Sequence, residues 1–221
     1  MNESTQIPYG AGTITVHMNS ASVSEVAAPD IRFGDYNEAL MYCFSKKELE
    51  TIDDGANAEV KIDFLMKEEN ENEGENAQFQ TAIEKAEKTY GKLHKAVYLE
   101  TMASKSLDGY DYTGLEYLSG DVELQIDIPL YLVAEGRHYY IMANDMGVCQ
   151  LEEDVDADAD TLSISTHSLT TSLLLYQDAK EALKTKQSAF RIRAEYLFLG
   201  AIMALLIIWR IVEQSHKKEK K

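Results

Sequence analysis

The stretch Asp121–Ile128, DVELQIDI, decides the fold: Val122, Leu124, Ile126 and Ile128 alternate with Asp121, Glu123, Gln125 and Asp127. A period of two over eight residues is the pattern of a half-buried β-strand, and Pro129 ends it because a proline cannot donate to a strand ladder. Downstream, RHYYIMA, NDMG and VCQL read as a hairpin with an Asn-Asp turn, and TLSIST and LTTSLLLYQ supply two further strands. Upstream, Leu115 and Tyr117 start a strand expected to turn at Ser119-Gly120, and Val97 and Leu99 belong to another.

Nearer the beginning, TITVHM (13–18) and EVKIDFLM (59–66) alternate in the same way. Between them, Asp35 with Glu38 and Ser45 with Glu48 have capping-box spacing, which predicts one or two helices ending near Gly55. KEENENEGENA is expected to be a solvated acidic loop. Phe79, Ala82, Ile83, Ala86, Tyr90 and Leu93 recur at helical spacing and predict an amphipathic helix over 77–93. The fold class expected is mainly β (α+β): an antiparallel β-sandwich-like domain with two or three short helices, followed by a C-terminal transmembrane helix.

The 221 residues carry a formal net charge of −17, which argues against nucleic acid as a partner, because phosphate binding needs a basic footprint. The charge is uneven. Residues 1–178 hold 11 basic and 34 acidic side chains, whereas residues 179–221 hold 10 basic and 4 acidic. Within the basic part, YLFLGAIMALLIIWRIV (196–212) carries one charge, Arg210. Seventeen residues at ~1.5 Å each reach ~25 Å, near the lower limit for crossing a bilayer. Tyr196 and Trp209 sit at the two ends, where amphipathic rings favour the headgroup layer.

The expected organisation is therefore an N-terminal strand segment at 1–35 (or the end of a preceding domain), a β-rich domain at 36–178, a juxtamembrane helix at 179–195, a transmembrane helix at 196–212 and a basic tail at 213–221. Lys217, Lys218, Lys220 and Lys221 lean toward a cytoplasmic tail and an outside body, while Lys180, Lys184, Lys186, Arg191 and Arg193 weaken that asymmetry. MNESTQIPYGAGTIT has neither a basic n-region nor an apolar h-region. Two expectations follow: a tail-anchored chain with a cytosolic body, or the C-terminal part of a longer exported protein.

Thr166–Asp178, THSLTTSLLLYQD, resembles the motif T-D-x-F-S-T-Y-A-x-x-Y-x-D, which closes a β-rich domain in surface proteins of Gram-positive anaerobic bacteria. Thr166, Thr171, Tyr176 and Asp178 match it, with Thr170 at the Ser position; Leu169 replaces the Phe and Ser172 the first Tyr. The preceding order fits as well: LQIDIP at 124–129, RHYYIMANDMG at 137–147 and QLEEDVDADADTLSIST at 150–166. With the helix, Gly turn and strand opening of MYCFSKKELETIDDGANAEVKIDF, the resemblance covers about residues 40–178. It implies an extracellular module without catalytic residues, near a membrane or wall anchor, and favours the body outside the cell.

The sharpest polar cluster is Asp154, Asp156, Asp158 and Asp160, whose carboxylates are hard oxygen ligands suited to Ca²⁺. The Gly and the terminal bidentate Glu of an EF-hand loop are missing, so a solvated loop is the plainer expectation. Tyr110, Tyr112 and Tyr117, beside Gly109 and Gly114, are candidates for stacking a sugar ring. His17, His94, His138, His167 and His216 have no metal-ligand spacing. Cys43 and Cys149 are read as core filler, and two cysteines exclude a disulfide-dense scaffold or a cysteine-only zinc site. No Gly-x-Ser-x-Gly, phosphate loop or His-Glu-x-x-His occurs, so no enzyme is expected.

The function expected is a non-catalytic, membrane-anchored bacterial surface protein for adhesion, wall contact or spacing. Its partners would be the lipid bilayer through 196–212 and a cell wall, host glycan or protein. The alternative is a ligand-binding receptor domain for glycan or calcium.

Overall fold

The computed structural model describes residues 2–22, 28–156, 158 and 160–179. The expected span at 196–212, the tail at 213–221 and all of the 179–195 approach beyond Ala179 lie outside them. Among the described residues no helix is long and apolar enough to cross a membrane.

The strands are β1 (Asn2–Tyr9), β2 (Gly12–Ser22), β3 (Ile31–Phe33), β4 (Asn57–Lys67), β5 (His94–Leu107), β6 (Thr113–Gly114), β7 (Tyr117–Asp127), β8 (His138–Asp145), β9 (Val148–Glu153), β10 (Thr161–Ser168) and β11 (Ser172–Gln177). The helices are α1 (Tyr36–Cys43), α2 (Lys46–Asp53) and α3 (Glu73–Tyr90). The protein is mainly β. A large sheet has the order β1-β2-β4-β5-β11-β8-β9, with β6 on β5, and a small sheet has the order β10-β7-β3.

Alternation explains how the layers meet. Ile14, Val16 and Met18 of β2, and Val60, Ile62, Phe64 and Met66 of β4, share one core with Val122, Leu124 and Ile126 of β7 and Leu162 and Ile164 of β10. Successive strand residues point to opposite faces, so the next residues along β5, β8 and β11 line a second core. There Tyr98, Tyr140, Met142, Leu173 and Leu175 bury Phe79 and Ile83 of α3. β11 is therefore apolar on both faces, which is why SLLLYQ shows no alternation.

The antiparallel expectation needs correction, because β2 and β4 pair in parallel. Parallel neighbours need a long crossover, and β3, α1 and α2 supply it on the core face. Both helix starts are as expected. The Asp35 carboxylate accepts from the N–H groups of Asn37 and Glu38, and Ser45 with Glu48 closes a full capping box.

Three further expectations are corrected. β7 does not turn back at Ser119-Gly120 but continues as one strand, with its register against β10 shifting between Tyr117 and Val122. The glycine is there because a Cβ at 120 would lie 2.6 Å from the Tyr42 ring of α1. The β8–β9 turn is centred on Met146 (φ 47°) and Gly147 (φ 86°) rather than on Asn144-Asp145. Two consecutive positive φ values suit the twist of a hairpin, and Asn144 Oδ1 accepts from Gly147 N–H to hold it. Finally, α3 is 18 residues long and starts inside the acidic stretch, capped by Asn72. Glu73 and Glu75 favour a first helical turn, where the helix dipole is positive.

Candidate functional site

Antiparallel pairing brings one set of ends together. Asp127 lies opposite Thr161, Tyr140 opposite Glu153, and Gln177 opposite His138. The 128–137 connection, the 154–160 loop and the exit from β11 therefore share one end of the body. At its centre is Arg137.

The Arg137 guanidinium is held by two residues and by an aromatic face. Nε donates to Asp178 Oδ1 at 2.9 Å, Nη2 forms an ion pair with the same oxygen at 2.9 Å, and Nη1 donates to the Leu132 carbonyl at 2.8 Å. Its Cζ lies over the Tyr176 ring, 3.9 Å from the ring centre, and His94 of β5 stacks on that ring at 5.0 Å and 18°. A planar cation pairs and stacks at once, which lysine cannot do. One residue earlier than Asp178 along the chain, buried Gln177 donates through Nε2 to the carbonyls of Tyr90 (2.6 Å) and Lys92 (3.3 Å), tying β11 to the end of α3. The Leu132 carbonyl also accepts from the Tyr139 hydroxyl at 2.8 Å. These contacts lock a two-sided central strand to its neighbours where it leaves the body.

The carboxylates of the 154–160 loop bind the loop itself. Asp154 Oδ1 accepts from the N–H groups of Ser163 (3.1 Å) and Asp156 (3.2 Å). Asp156 accepts from Asp158 N–H (2.8 Å), Ser163 Oγ (2.6 Å) and Thr161 Oγ1 (3.2 Å). Burial raises both carboxyls; at Asp156 those hydrogen bonds outweigh it and lower the pKa, whereas at Asp154 burial wins. Asp158 lines a cavity of about 420 Å³ with Asp154, Asp156 and Arg137, and Asp160 is exposed. Among the described residues no three His, Cys, Asp or Glu side chains converge as a metal-holding group.

The three tyrosines keep different company. Tyr110 is exposed, Tyr112 pairs with Glu59 under the Lys61 ammonium, and Tyr117 lies beside His167. His17 is on β2 and His138 opens β8. Both cysteines are free thiols. Cys43 is in the first core, where burial pushes it up to about 12 against the pull of Lys105. Cys149 packs against the second core.

A groove of about 360 Å³ between the edges of β9 and β10 is not evident from sequence. His167 Nδ1 lies 2.9 Å from Asp121 Oδ1 there, with Asp145 and Glu152 on the opposite wall. Burial first, and Asp121 second, raise Glu152, while His167 lowers it. The Arg137 junction is also hidden as a contact, although Arg137, Tyr176 and Asp178 stand in two of the segments that carry the resemblance. No family model matches the chain, and neither does any curated protein sequence.

Proposed function

We propose that the β-rich body is a non-catalytic module carried on a bacterial cell surface by a single membrane span at 196–212, where it serves adhesion, wall contact or spacing. The observation that supports this reading most is the Arg137 junction. A module held by its C-terminal end needs that end fixed to the whole body, and here one guanidinium joins the exit at Asp178 to the 128–137 connection and to Tyr176. Directly beyond it the sequence turns basic and then apolar. The resemblance of residues 40–178 to β-rich domains of Gram-positive anaerobes supports the same reading.

The test is topological. In intact bacterial cells expressing the full chain, added protease is expected to remove epitopes within 1–178 and to leave the Lys217–Lys221 end protected. Membranes washed with alkaline carbonate should retain the chain. Full protection of the body with retention in the membrane would favour the tail-anchored arrangement, and loss from washed membranes would overturn the span.

A further inference from the structure

We propose that the Pro129–Val133 turn is a membrane-touching tip whose Leu130 and Tyr131 side chains enter the interfacial layer of the bilayer; this rests on the span at 196–212 proposed above. Leu130 is 88% exposed and Tyr131 57%, adjacent apolar residues on one turn. They are displayed by a rigid support. Ile128, Pro129 and Leu132 around them are buried, Leu132 N–H donates to the Pro129 carbonyl at 2.8 Å, and the Leu132 carbonyl is held by Arg137 and Tyr139. A turn that buries its other apolar side chains and presents these two has spare apolar surface facing outward. Tyrosine, apolar in body with a polar tip, suits the headgroup layer.

Position selects the occupant. Arg137 joins this turn to Asp178, and a Cβ on Gly136 would lie 3.1 Å from that of Ala179. The turn is therefore at the end from which the chain leaves. Residues 180–195 separate Ala179 from Tyr196. Even fully extended they reach at most ~55 Å, so a chain anchored from Tyr196 keeps this end within that distance of the surface. The carboxylates of Asp30, Glu68, Asp127, Glu135 and Asp160 near the turn oppose anionic lipid and keep the contact shallow.

The full chain carries one tryptophan, Trp209. Combining Trp209→Phe with Tyr131→Trp places the only indole reporter on the tip. In nanodiscs of phosphatidylcholine and phosphatidylglycerol, the emission of this tip reporter is expected to shift to the blue and to be quenched when the lipid is brominated near the top of its acyl chains. Adding Leu130→Asp should reverse both. A Val148→Trp reporter in the Trp209→Phe background, at the opposite end of the body, should remain unquenched.

Unquenched, red emission from the tip reporter in a chain that co-floats with lipid would overturn the tip and leave the span standing. A blue shift without quenching would mean that protein, such as a second copy, covers the turn, and would also overturn it. Failure to co-float would remove the span and the tip together.

Discussion

Arg137 and Asp178, 41 residues apart in sequence, meet through one hydrogen bond and one ion-pair contact on a single carboxylate oxygen, with the Arg137 side chain 15% and the Asp178 side chain 46% exposed. The exposure difference makes the two ends unequal. Removing Asp178 leaves a mostly buried cation that still has the Leu132 carbonyl and the Tyr176 face. Removing Arg137 frees all three partners. Arg137→Ala is expected to cost ~2–3 kcal/mol and Asp178→Asn ~1 kcal/mol, with the ion-pair share discounted for the wet carboxylate. Arg137→Lys should recover little of the loss, since an ammonium can neither fork nor stack. Urea melts of the full chain in detergent would show the order; equal costs at the two positions would contradict it.

The contact between Gly120 and Tyr42 is steric. Gly120→Ala would place a methyl 2.6 Å from the tyrosine ring, forcing α1 away from β7. Overpacking of this kind costs about 1–3 kcal/mol. Tyr42→Ala alone should cost less, because that ring is only partly buried, and in the double variant the Gly120→Ala penalty should largely vanish. Additive losses in the double-mutant cycle would mean that Gly120 is needed for its backbone freedom rather than for room.

What is legible in the sequence, and what is hidden, follows from the range of the signal. Alternation in β7, β4 and β10 is readable because one face of each strand carries apolar side chains into a core and the other carries mostly polar ones. The caps at Asp35 and Ser45 are readable because their partners are two or three residues away. β1 escapes notice: Pro8 and a polar run disguise an edge strand that only its pairing with β2 reveals. The parallel pairing of β2 with β4 depends on where the intervening helices pack, which no local pattern encodes. Gly120 looks like a turn because its reason, the Tyr42 ring, is 78 positions away. At the junction, Arg137 and Asp178 are visible as letters of two motifs, but their meeting is a product of the β8–β11 register.

The 154–160 loop offers a separate test. Asp156 receives hydrogen bonds from Asp158, Thr161 and Ser163, and its lowered pKa means that the folded state favours the carboxylate. Its contribution is present above the ordinary carboxyl range and is lost as pH falls through the lower folded value. Asp156→Ala should lower the melting temperature at pH 7 and flatten the acid limb of the stability curve. With these oxygens already serving the loop, millimolar Ca²⁺ is expected to leave the melting temperature unchanged. A calcium-dependent rise that disappears in Asp156→Asn would establish a site instead.

Glu152 should behave in the opposite sense. In the unfolded chain its carboxyl ionises in the usual glutamate range. In the fold, burial and then the Asp121 carboxylate delay ionisation, and His167 offsets part of that delay. Between the two values the folded state keeps a proton that the unfolded state has lost, so stability falls as pH rises through that window. Above it, the charged Glu152 is a constant burden on the β9–β10 groove. Glu152→Gln keeps the shape and removes the charge, so the variant should melt higher than the parent at pH 8. The advantage should shrink as pH drops, and disappear below the ordinary glutamate value, where the parent is neutral in both states. Thermal melts at intervals from pH 3 to pH 8 would trace this difference; parallel curves for parent and variant would show that the groove leaves the Glu152 carboxylate as comfortable as water does.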